Sequence, residues 1–596
     1  MARDTVSIGG ASGFWGDSVT GPMQLVASGR LDYLVFDYLA ELTMSLLAAA
    51  KQKKPELGYA TDFVSVAMRA VLKDAMAQGI RIVANAGGVN PRGCAEALQA
   101  LAAELGVPVR IAVVEGDDVT HLLPALREED IREWQGTRAL PEKILSANAY
   151  LGALPVKAAL DAGAQVVITG RCVDSAVTLG ALMHAFDWAP DDYDRLAAGS
   201  LAGHILECGC QGTGGLHTDW ESVPDWANSG YPIAECRRDG SFVVTKPAGT
   251  GGLVTPATVG EQLLYEIGDP ARYLLPDVVC DFTQVTMTQD GQDRVEVHGA
   301  RGHAPTPAYK VSATYADGFR SNAQLTVVGF DADRKARRTG EAILERTRGL
   351  FRKLGLCDYS ATHLETLGSA YSFGPHQPAL PRFESVLWLA VAHADKRALE
   401  LFTREIAPAG TSWSPGTTGA GGRPSVSPAI KQFAFLLDKG RLQPRVTLLP
   451  DGAAIDVRVP AGVPLADTPA ATAAQAEIAD GIDGTDHLVR EVPLIALAYA
   501  RSGDKGDISN IGIIARRPQD LPLLRAQLTE DAVARHLAHL VKGRVTRYEL
   551  PGIHAFNFVC EQALGGGGMA SLRNDPLGKG MGQVLLAMPV RVPVTD

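Results

Sequence analysis

Short apolar runs alternate with stretches of helical hydrophobic spacing through the first part of the chain. Each run is followed by a loop of small or acidic residues and then by a predicted helix, a rhythm typical of βαβ units with a parallel sheet. The predicted strands are residues 5–8, 31–36, 80–84, 109–114 and 165–169. The fold class is therefore α/β, and we expect a mostly parallel sheet flanked by helices over residues 1–198.

The loops that follow these strands are the first candidates for a ligand site. In open α/β sheets, ligands bind in the crevice beyond the carboxyl ends of the strands. We therefore expect one pocket, lined by residues 9–17, 37–41, 85–90 and 171–174 together with Asp117. The fold predicts where this pocket lies but not its chemistry.

The hydrophobic pattern changes after residue 199, where glycine, proline and β-branched residues become frequent. This composition predicts an α+β region over residues 199–458. Apolar positions at helical spacing predict helices at residues 334–354 and 391–406 within it.

The end of the chain reads as a separate domain. At 596 residues the chain is too long for one hydrophobic core. Residues 459–484 are rich in alanine and proline, which is linker composition, so they bound a core domain over residues 1–458. Residues 485–596 then form a small α+β domain, with a helix predicted near 521–540.

Charge and cysteine content narrow the function classes. A formal net charge of −11 argues against a nucleic-acid partner, because phosphate binding needs a basic footprint. Eight scattered cysteines differ from the dense frameworks of small secreted domains and predict reduced thiols. The sequence has no basic leader followed by an apolar stretch and no apolar segment long enough to span a bilayer. We therefore expect a cytoplasmic protein without a membrane partner.

Several segments resemble the acyclic terpene utilisation (AtuA-type) family. They are IGGASGFWGDS, DYLAELTMSLLA, NAGGVNP, ITGRCVDSAVTLGALMHAF, LAGHILECGCQGTGG, KPAGTGGLVTPATVGEQLLYEIGDP and ARSGDKGDISNIGIIAR. Their order covers nearly the whole chain, including the C-terminal domain. The resemblance implies a role in the breakdown of acyclic terpenes such as citronellol and geraniol, a route through CoA thioesters. It transfers no catalytic residue, so the candidates below depend on their chemistry.

The first candidate is the glycine-rich loop after the first strand, in which Gly10, Ser12, Gly13 and Trp15 are predicted to bind substrate. A glycine turn at a helix N-terminus can hold an anion. The loop lacks the GxGxxG spacing of a dinucleotide site. The alternative is a tight turn with Trp15 packed as core.

Acidic and amide residues at the next strand ends are catalytic candidates. Asp37 and Glu41 are four apart, a spacing that would put both carboxylates on one helical face. Such a pair can divide acid and base roles if the environment separates the two pKa values. The alternative is charge stabilisation of a helix N-terminus. Asn85 and Asp117 occupy equivalent strand ends.

Arg171 and Asp174 follow the last predicted strand, in TGRCVDS. The arginine is predicted to bind a carboxylate or phosphate through bidentate hydrogen bonds. Asp174 is a catalytic candidate. The alternative is an internal Arg171–Asp174 pair. Cys172 between them is predicted to be buried packing.

The cluster GHILECGCQGTGG contains His204, Glu207, Cys208 and Cys210. It offers soft metal ligands or a thiol with a base, so His204 and Cys208 are catalytic candidates. The spacing differs from usual zinc patterns and no second ligand pair follows, so we predict no bound metal. Structural packing beside a functional loop is the alternative.

In the C-terminal domain, SGDKGD offers successive backbone N–H groups and the ammonium of Lys505. Lys505, Asp507 and Asn510 are predicted to bind an anionic substrate group. A glycine run at residues 565–568, with the cations that follow it, would suit CoA phosphates. A mobile glycine loop is the alternative.

These candidates favour an enzyme that acts on a small-molecule CoA thioester or carboxylate by hydration, hydrolysis or C–C cleavage. Such lyase, hydratase or hydrolase reactions need positioned acids and bases. Hydride transfer is less favoured because the sequence contains no dinucleotide-binding fingerprint. We expect no cofactor beyond CoA as part of the substrate, and a homo-oligomer on general grounds. The alternative is a non-catalytic subunit or scaffold that binds CoA intermediates or partner enzymes.

Overall fold

The protein is described here by a computed structural model that covers residues 4–134, 136–369, 371–377, 382–467 and 489–594. Its helices within these ranges are α1 Thr20–Ala27, α2 Glu41–Lys53, α3 Arg69–Ala77, α4 Pro91–Glu104, α5 Leu123–Glu128, α6 Leu154–Asp161, α7 Ala176–Phe186, α8 Tyr193–Leu206, α9 Pro256–Leu264, α10 Ala332–Lys353, α11 Lys396–Arg404, α12 Ala409–Ser412, α13 Leu521–Gln527, α14 Glu530–His536 and α15 Met581–Leu586. Its strands are β1 Thr5–Gly10, β2 Tyr33–Phe36, β3 Arg81–Ala84, β4 Ile111–Glu115, β5 Ser146–Ala149, β6 Val166–Thr169, β7 Ile233–Arg237, β8 Phe242–Thr245, β9 Tyr273–Leu274, β10 Val279–Asp281, β11 Thr286–Gln289, β12 Val295–His298, β13 Arg301–His303, β14 Ala308–Val328, β15 Ala361–Leu367, β16 Glu384–His393, β17 Thr417–Ala420, β18 Ser427–Asp438, β19 Arg445–Leu449, β20 Ala454–Asp456, β21 Val489–Pro493, β22 Ala498–Lys505, β23 Ile508–Ala515, β24 Val545–Leu550, β25 Ala555–Cys560 and β26 Pro589–Pro593.

A parallel sheet forms the centre of the molecule, as the sequence predicts. Its strands lie in the order β1-β2-β3-β6-β4, and each neighbouring pair is parallel. All four residues of β2 and of β6 are buried. Continuous apolar strands of this kind need helices on both faces, which is why the apolar runs and helical patterns alternate along the chain. The carboxyl ends of these strands lie along one edge.

The region after residue 199 extends this sheet on both sides. Antiparallel β7 pairs with β1, and antiparallel β19 pairs with β4, so the sheet reaches eleven strands in the order β11-β12-β8-β7-β1-β2-β3-β6-β4-β19-β20. A second sheet is built around the long strand β14, which pairs with β16, β17 and β18. Strand β5, which the sequence analysis missed, joins this second sheet. Strands from before and after residue 199 therefore pair within the same two sheets, and the two parts of the core are not separate units.

The predicted helices are confirmed in part. The helix predicted at residues 334–354 is α10, which runs from Ala332 to Lys353. The prediction for 391–406 is wrong at its start, because residues 391–393 complete β16 and Asp395 caps α11 by accepting from the backbone N–H of Arg397 at 2.9 Å. Residues 521–540 form two short helices, with Thr529 capping the second, rather than one.

The C-terminal domain is a four-stranded antiparallel sheet in the order β22-β23-β25-β24, packed on α13, α14 and α15. Its β23 lies against α9 of the core so closely that a side chain at Gly512 would meet Leu264 at 2.4 Å. Most of the predicted linker, residues 459–484, lies outside the described residues. Among the helices described, none is long and apolar enough to cross a membrane.

Candidate functional site

Asp37 lies directly beyond β2, at the carboxyl edge of the parallel sheet. Its carboxylate accepts a hydrogen bond from Asn85, which follows β3, and its carbonyl accepts one from Ser12 Oγ at 2.9 Å. The oxygen of the Asn85 amide accepts from the backbone N–H of Tyr38 at 2.7 Å. Burial raises the pKa of Asp37 well above its usual value, and the nearby carboxylates of Asp174 and Glu207 raise it further.

Asp117 fixes the loop after β6 rather than facing open space. Its Oδ2 accepts from the backbone N–H of Arg171 at 2.9 Å and from Asn148 Nδ2 at 2.8 Å. A side chain at Gly170 would meet this carboxylate at 2.5 Å, so the glycine is required for the approach. Burial raises the pKa of Asp117 to about 6. The contacts of Asp117 are therefore those of a residue that orients Arg171.

Arg171 is buried, with 3% of its surface exposed, and is held on three sides. Its Nη1 donates to the carbonyl of Leu39 and to Asp174, both at 2.9 Å. Its guanidinium carbon lies 4.1 Å from the ring centre of Tyr150, a cation–π contact. The internal Arg171–Asp174 pair considered from the sequence is thus present, at the edge of the same cleft.

Glu41 is the first residue of α2, whereas Asp37 precedes the helix, so the expectation of two carboxylates on one helical face is wrong. Glu41 accepts from the Tyr150 hydroxyl and from Gln432 Nε2 at 3.2 Å. Lys310 Nζ lies 3.8 Å from its Oε1. Although burial alone would raise it, Lys310 and Arg171 hold the pKa of Glu41 below its usual value.

His204 is engaged at both ring nitrogens. Nδ1 lies 2.8 Å from Glu207 Oε1, and Nε2 lies 3.0 Å from the carbonyl of Gln262. Burial opposes a positive charge, but Glu207 outweighs it and raises the pKa of His204. The contact of Nε2 with Gln262 connects α8 to α9, and no ring nitrogen of His204 remains for a substrate.

Cys208 and Cys210 are free thiols at the end of the same segment. Burial, with the carboxylates of Glu207 and Glu266, raises the pKa of Cys208 well above its usual value, and burial raises the pKa of Cys210 to about 12. Both thiols are therefore protonated at neutral pH and are weak nucleophiles. In the part of the chain that is described, no cluster of three or more His, Cys, Asp or Glu side chains is arranged to hold a metal ion.

The glycine-rich first loop packs against this segment. A side chain at Gly10 would meet the Leu206 carbonyl at 2.5 Å, and one at Gly13 would meet the Cys208 backbone at 2.8 Å. Trp15 Nε1 donates to Asp62 at 2.7 Å, and its ring packs against the core. Glycine is thus required here for close chain packing, as in the tight-turn alternative, and Ser12 is the loop residue bonded to the Asp37 segment.

The C-terminal domain reaches the cleft through Lys505, the last residue of β22. Gly506, at φ 64°, begins the two-residue hairpin turn to β23. Lys505 Nζ lies 3.2 Å from Glu266 Oε2, which comes from the core just after α9. Although burial opposes it, Glu266 raises the pKa of Lys505, and the fields of Asp174 and Glu41 add to the effect. Lys505 therefore shares one charged cleft with the strand-end residues.

Asp507 and Asn510 have internal partners. Asp507 Oδ1 accepts from the backbone N–H groups of Leu564, Gly566 and Gly567 at 2.9–3.1 Å. The glycine run that would suit a CoA phosphate therefore already holds a carboxylate of the chain itself. Asn510 donates to the Leu264 carbonyl at 2.6 Å and is buried.

A cavity of about 700 Å³ lies away from this cleft, between α8, the β7–β8 turn and residues 297–302. Asp191, Asp194 and Arg301 are among its lining residues, and Arg301 pairs with Asp194 at 3.0 Å. None of the predicted site residues lines it. We place the candidate site at the strand-end cleft because the shifted pKa values and the convergent polar groups lie there rather than in this cavity.

Sequence reasoning missed several residues of the cleft, chiefly Tyr150, Lys310 and Glu266. Tyr150 follows β5 and Lys310 lies in β14, two strands whose pairing brings both beside Glu41. Glu266 follows α9. Tyr150 and Lys310 lie outside the glycine-rich loops and the quoted segments. Glu266 lies within KPAGTGGLVTPATVGEQLLYEIGDP, but nothing in that segment marks it as a site residue. Only the strand pairing and the domain contact locate the three residues.

Two family models match most of the chain. The model of the acyclic terpene utilisation family protein AtuA matches residues 6–448, and that of the AtuA ferredoxin-like domain matches residues 492–591. Neither a curated protein nor a solved structure matches the chain. The first match spans the parallel sheet and the second the domain that carries Lys505. The chain therefore belongs to the acyclic terpene utilisation family AtuA.

Proposed function

We propose that this protein is an enzyme of acyclic terpene utilisation that acts on a carboxylated or CoA-linked branched substrate by acid–base catalysis. One observation carries the proposal. In a single cleft, burial raises the pKa of the Asp37 carboxyl group and lowers the pKa of the Lys310 ammonium group. Shifts in these two directions favour a carboxyl group that donates a proton and an amine that accepts one.

Asp37 is the proton donor in this proposal. Burial favours its protonated form, and Asn85 donates to its Oδ1, so Oδ2 is the oxygen that would carry the proton. Glu41 is a poor base because its lowered pKa makes it hold a proton weakly. Its role is to hold Tyr150 and Lys310 in place.

Lys310 is the proton acceptor that the cleft supports best. Burial lowers the pKa of its ammonium, which brings a neutral amine closer to physiological pH. Its Nζ makes a long 3.8 Å contact to Glu41 and no hydrogen bond to a described residue. In hydration, Lys310 would take a proton from water while Asp37 supplies one to the substrate. In hydrolysis or C–C cleavage the same two transfers occur at the nucleophile and the leaving group.

Arg171 and Lys505 supply positive charge for an anionic substrate. Arg171 is fixed by Leu39, Asp174 and Tyr150, so its charge is held at little entropic cost. Lys505 is 45% exposed and faces the cleft from the other domain. A carboxylate or a polarised thioester carbonyl between them is the chemistry that this arrangement favours.

The test is a substrate panel with a matched pair of variants. Geranyl- and citronellyl-type CoA thioesters and their free acids are incubated with the protein, and mass spectrometry reports added water, released CoA or a cleaved carbon chain. Asp37→Asn should lower turnover by about 100-fold or more with the melting temperature nearly kept. Asp191→Asn, at an exposed carboxylate in the separate cavity, should leave turnover unchanged.

The outcomes separate the proposal from its rival. Turnover that survives Asp37→Asn would remove the proton-donor assignment. Tight binding of a thioester without any product would favour a non-catalytic subunit or scaffold. No binding and no turnover across the panel would overturn the substrate class.

A further inference from the structure

The segment that follows α9, residues 265–268, is hydrogen-bonded to asparagines of the C-terminal sheet. Asn510, in β23, accepts from the backbone N–H of Glu266 at 2.9 Å. Its Nδ2 donates to the carbonyl of Leu264 at 2.6 Å and to Asn557 Oδ1 at 3.0 Å. Asn510 is 4% exposed, so both of its donor hydrogens and its oxygen are used inside the protein.

A second asparagine extends this grip. Asn557, in the neighbouring strand β25, is fully buried. Its Nδ2 donates to the carbonyls of Ile267 at 2.7 Å and Gly268 at 2.6 Å. Buried amides that satisfy main-chain groups of another segment fix that segment in one conformation. Together the two side chains bind main-chain groups of four of the five residues from 264 to 268, all except residue 265.

Glu266 adopts a strained backbone in the middle of this segment. Its φ is 59°, in the left-handed region that glutamate rarely occupies. Such a conformation persists only where the surroundings impose it, and here the bond from its N–H to Asn510 is the direct constraint. The consequence is the direction of the side chain, which places Oε2 at 3.2 Å from Lys505 Nζ and Oε1 at 3.9 Å from Lys579 Nζ.

We propose that Asn510, supported by Asn557, is a positioning residue that sets Glu266 against Lys505, so that this charged pair exists only while the two domains are docked. The domain that supplies the lysine also holds the backbone that presents its carboxylate partner. The significance of the pair for catalysis rests on the proposed function, but its existence does not. Asn510 is thereby given a role other than direct substrate contact.

Acetylation of lysines by an acetyl ester tests the proposal without any substrate. The reaction needs the neutral amine, so its rate at Lys505, followed by peptide mass spectrometry, reports how strongly Glu266 holds the charge. Glu266→Gln should raise the rate at pH 8 by about threefold to tenfold, a range that allows for the solvent exposure of the lysine. Asn510→Ala should raise it to a similar extent. Lys396, an exposed lysine on α11, is the internal control, and Asn228→Ala is the matched control variant.

The double variant distinguishes positioning from general loosening. If Asn510 acts through Glu266, the combined variant should acetylate no faster than Glu266→Gln alone, because the second change removes nothing more. Additive increases, or an unchanged rate in folded Asn510→Ala, would overturn the proposal. An unchanged rate in Glu266→Gln would overturn it as well. If Asn510→Ala does not fold, Asn557→Ala carries the prediction in a weaker form. It releases Ile267, Gly268 and the amide of Asn510 but keeps the Glu266 bond, so the rate at Lys505 should rise by less than in Glu266→Gln, and an unchanged rate would overturn the proposal.

The result is independent of the proposed function. A protein that turns over no thioester can still show the shared increase at Lys505, which would sustain the positioning role alone. Conversely, if the enzyme is active but the acetylation rate at Lys505 does not change in Asn510→Ala, the positioning role is overturned and the proposed function stands.

Discussion

Two charged clusters lie where the core meets the C-terminal domain, and they differ in how their charges are partnered. One is the Glu261 network, made of Glu261, Arg501, Gln211, Thr218 and the carbonyl of Gly215. Arg501 Nη1 donates to Gln211 at 2.6 Å, and its Nη2 donates to Glu261 at 3.1 Å. Thr218 donates to Glu261 through its hydroxyl. Glu261 is fully buried.

The other is the cleft that contains Asp37, Glu41, Arg171, Lys310 and Lys505. Here Lys310 has one long ionic contact, and Lys505 remains 45% exposed. The difference indicates that the two clusters have different roles at one interface. Charges that face partners at short range anchor the domain, while charges left reachable by solvent are available to a substrate.

The largest expected effect is on the anchor. Glu261→Ala would leave the Arg501 guanidinium, 5% exposed, without its counter-charge. We expect a loss of about 3–5 kcal/mol in the free energy of unfolding, measured by urea denaturation. Glu261→Gln also removes the charge but keeps the shape and a hydrogen-bond acceptor for Thr218, so the comparison of the two variants separates the loss of charge from the loss of packing. A loss below about 1 kcal/mol would show that Arg501 finds water instead and that the network is no anchor.

The next effect should fall on turnover rather than on stability. Lys310→Met removes the proposed proton acceptor and should lower kcat by about 100-fold. Lys310→Arg keeps a positive charge that does not release its proton at physiological pH, so it should be as inactive as the methionine variant while still binding substrate. Steady-state kinetics with the active thioester of the panel provide the measurement. Normal turnover by Lys310→Arg would assign Lys310 to binding alone.

The comparison also shows what local sequence signals can predict. The five parallel strands and their loops followed from buried apolar runs and small-residue turns, which are properties of neighbouring residues. The cleft residues on β14 and beyond α9 have no such signal, because Lys310 and Glu266 reach it through long-range strand pairing and domain docking. Placing Asp37 on the helix with Glu41 failed because α2 begins only at Glu41, the first residue after Ala40 at the N-cap.

Asp507 illustrates a deeper limit. A glycine run with exposed N–H groups suits any anion, so the same sequence predicts a phosphate site or an internal carboxylate site. In the structure Asp507 Oδ1 accepts from two of these N–H groups, those of Gly566 and Gly567, and from that of Leu564 just before the run. Composition describes the donors, but only the folded hairpin brings the acceptor to them.

A smaller effect is expected at Lys505, on the domain side of the cleft. Lys505→Ala should weaken binding of a thioester or its free acid by about tenfold, near 1.4 kcal/mol, because a half-exposed charge is partly screened. Isothermal titration gives the affinity, and the melting temperature should change little. Lys396→Ala is the control for loss of a surface charge. Unchanged affinity with a large fall in melting temperature would make Lys505 part of the anchor rather than of the site.

The smallest effect concerns Asp504, beside Lys505. Burial, and then the carboxylate of Glu266, raise the pKa of Asp504 to about 8. The folded state thus keeps a proton that the unfolded chain releases near the usual aspartate pKa, so wild-type stability falls as the pH rises through this window up to about 8.

Asp504→Asn removes this titration. The difference in melting temperature between the variant and the wild type should grow by roughly 2 °C in favour of the variant from pH 5 to pH 8. The reason is that only the wild type has a buried carboxyl group that loses stability as it ionises. Asp531→Asn, at an exposed position of α14, should show no such gain. Parallel melting curves for wild type and Asp504→Asn would mean that Asp504 is ionised at neutral pH. Lys505 would then lie beside two carboxylates, those of Glu266 and Asp504. Its charge would be as fully paired as that of Arg501 in the Glu261 network, and the contrast between the two clusters would be lost.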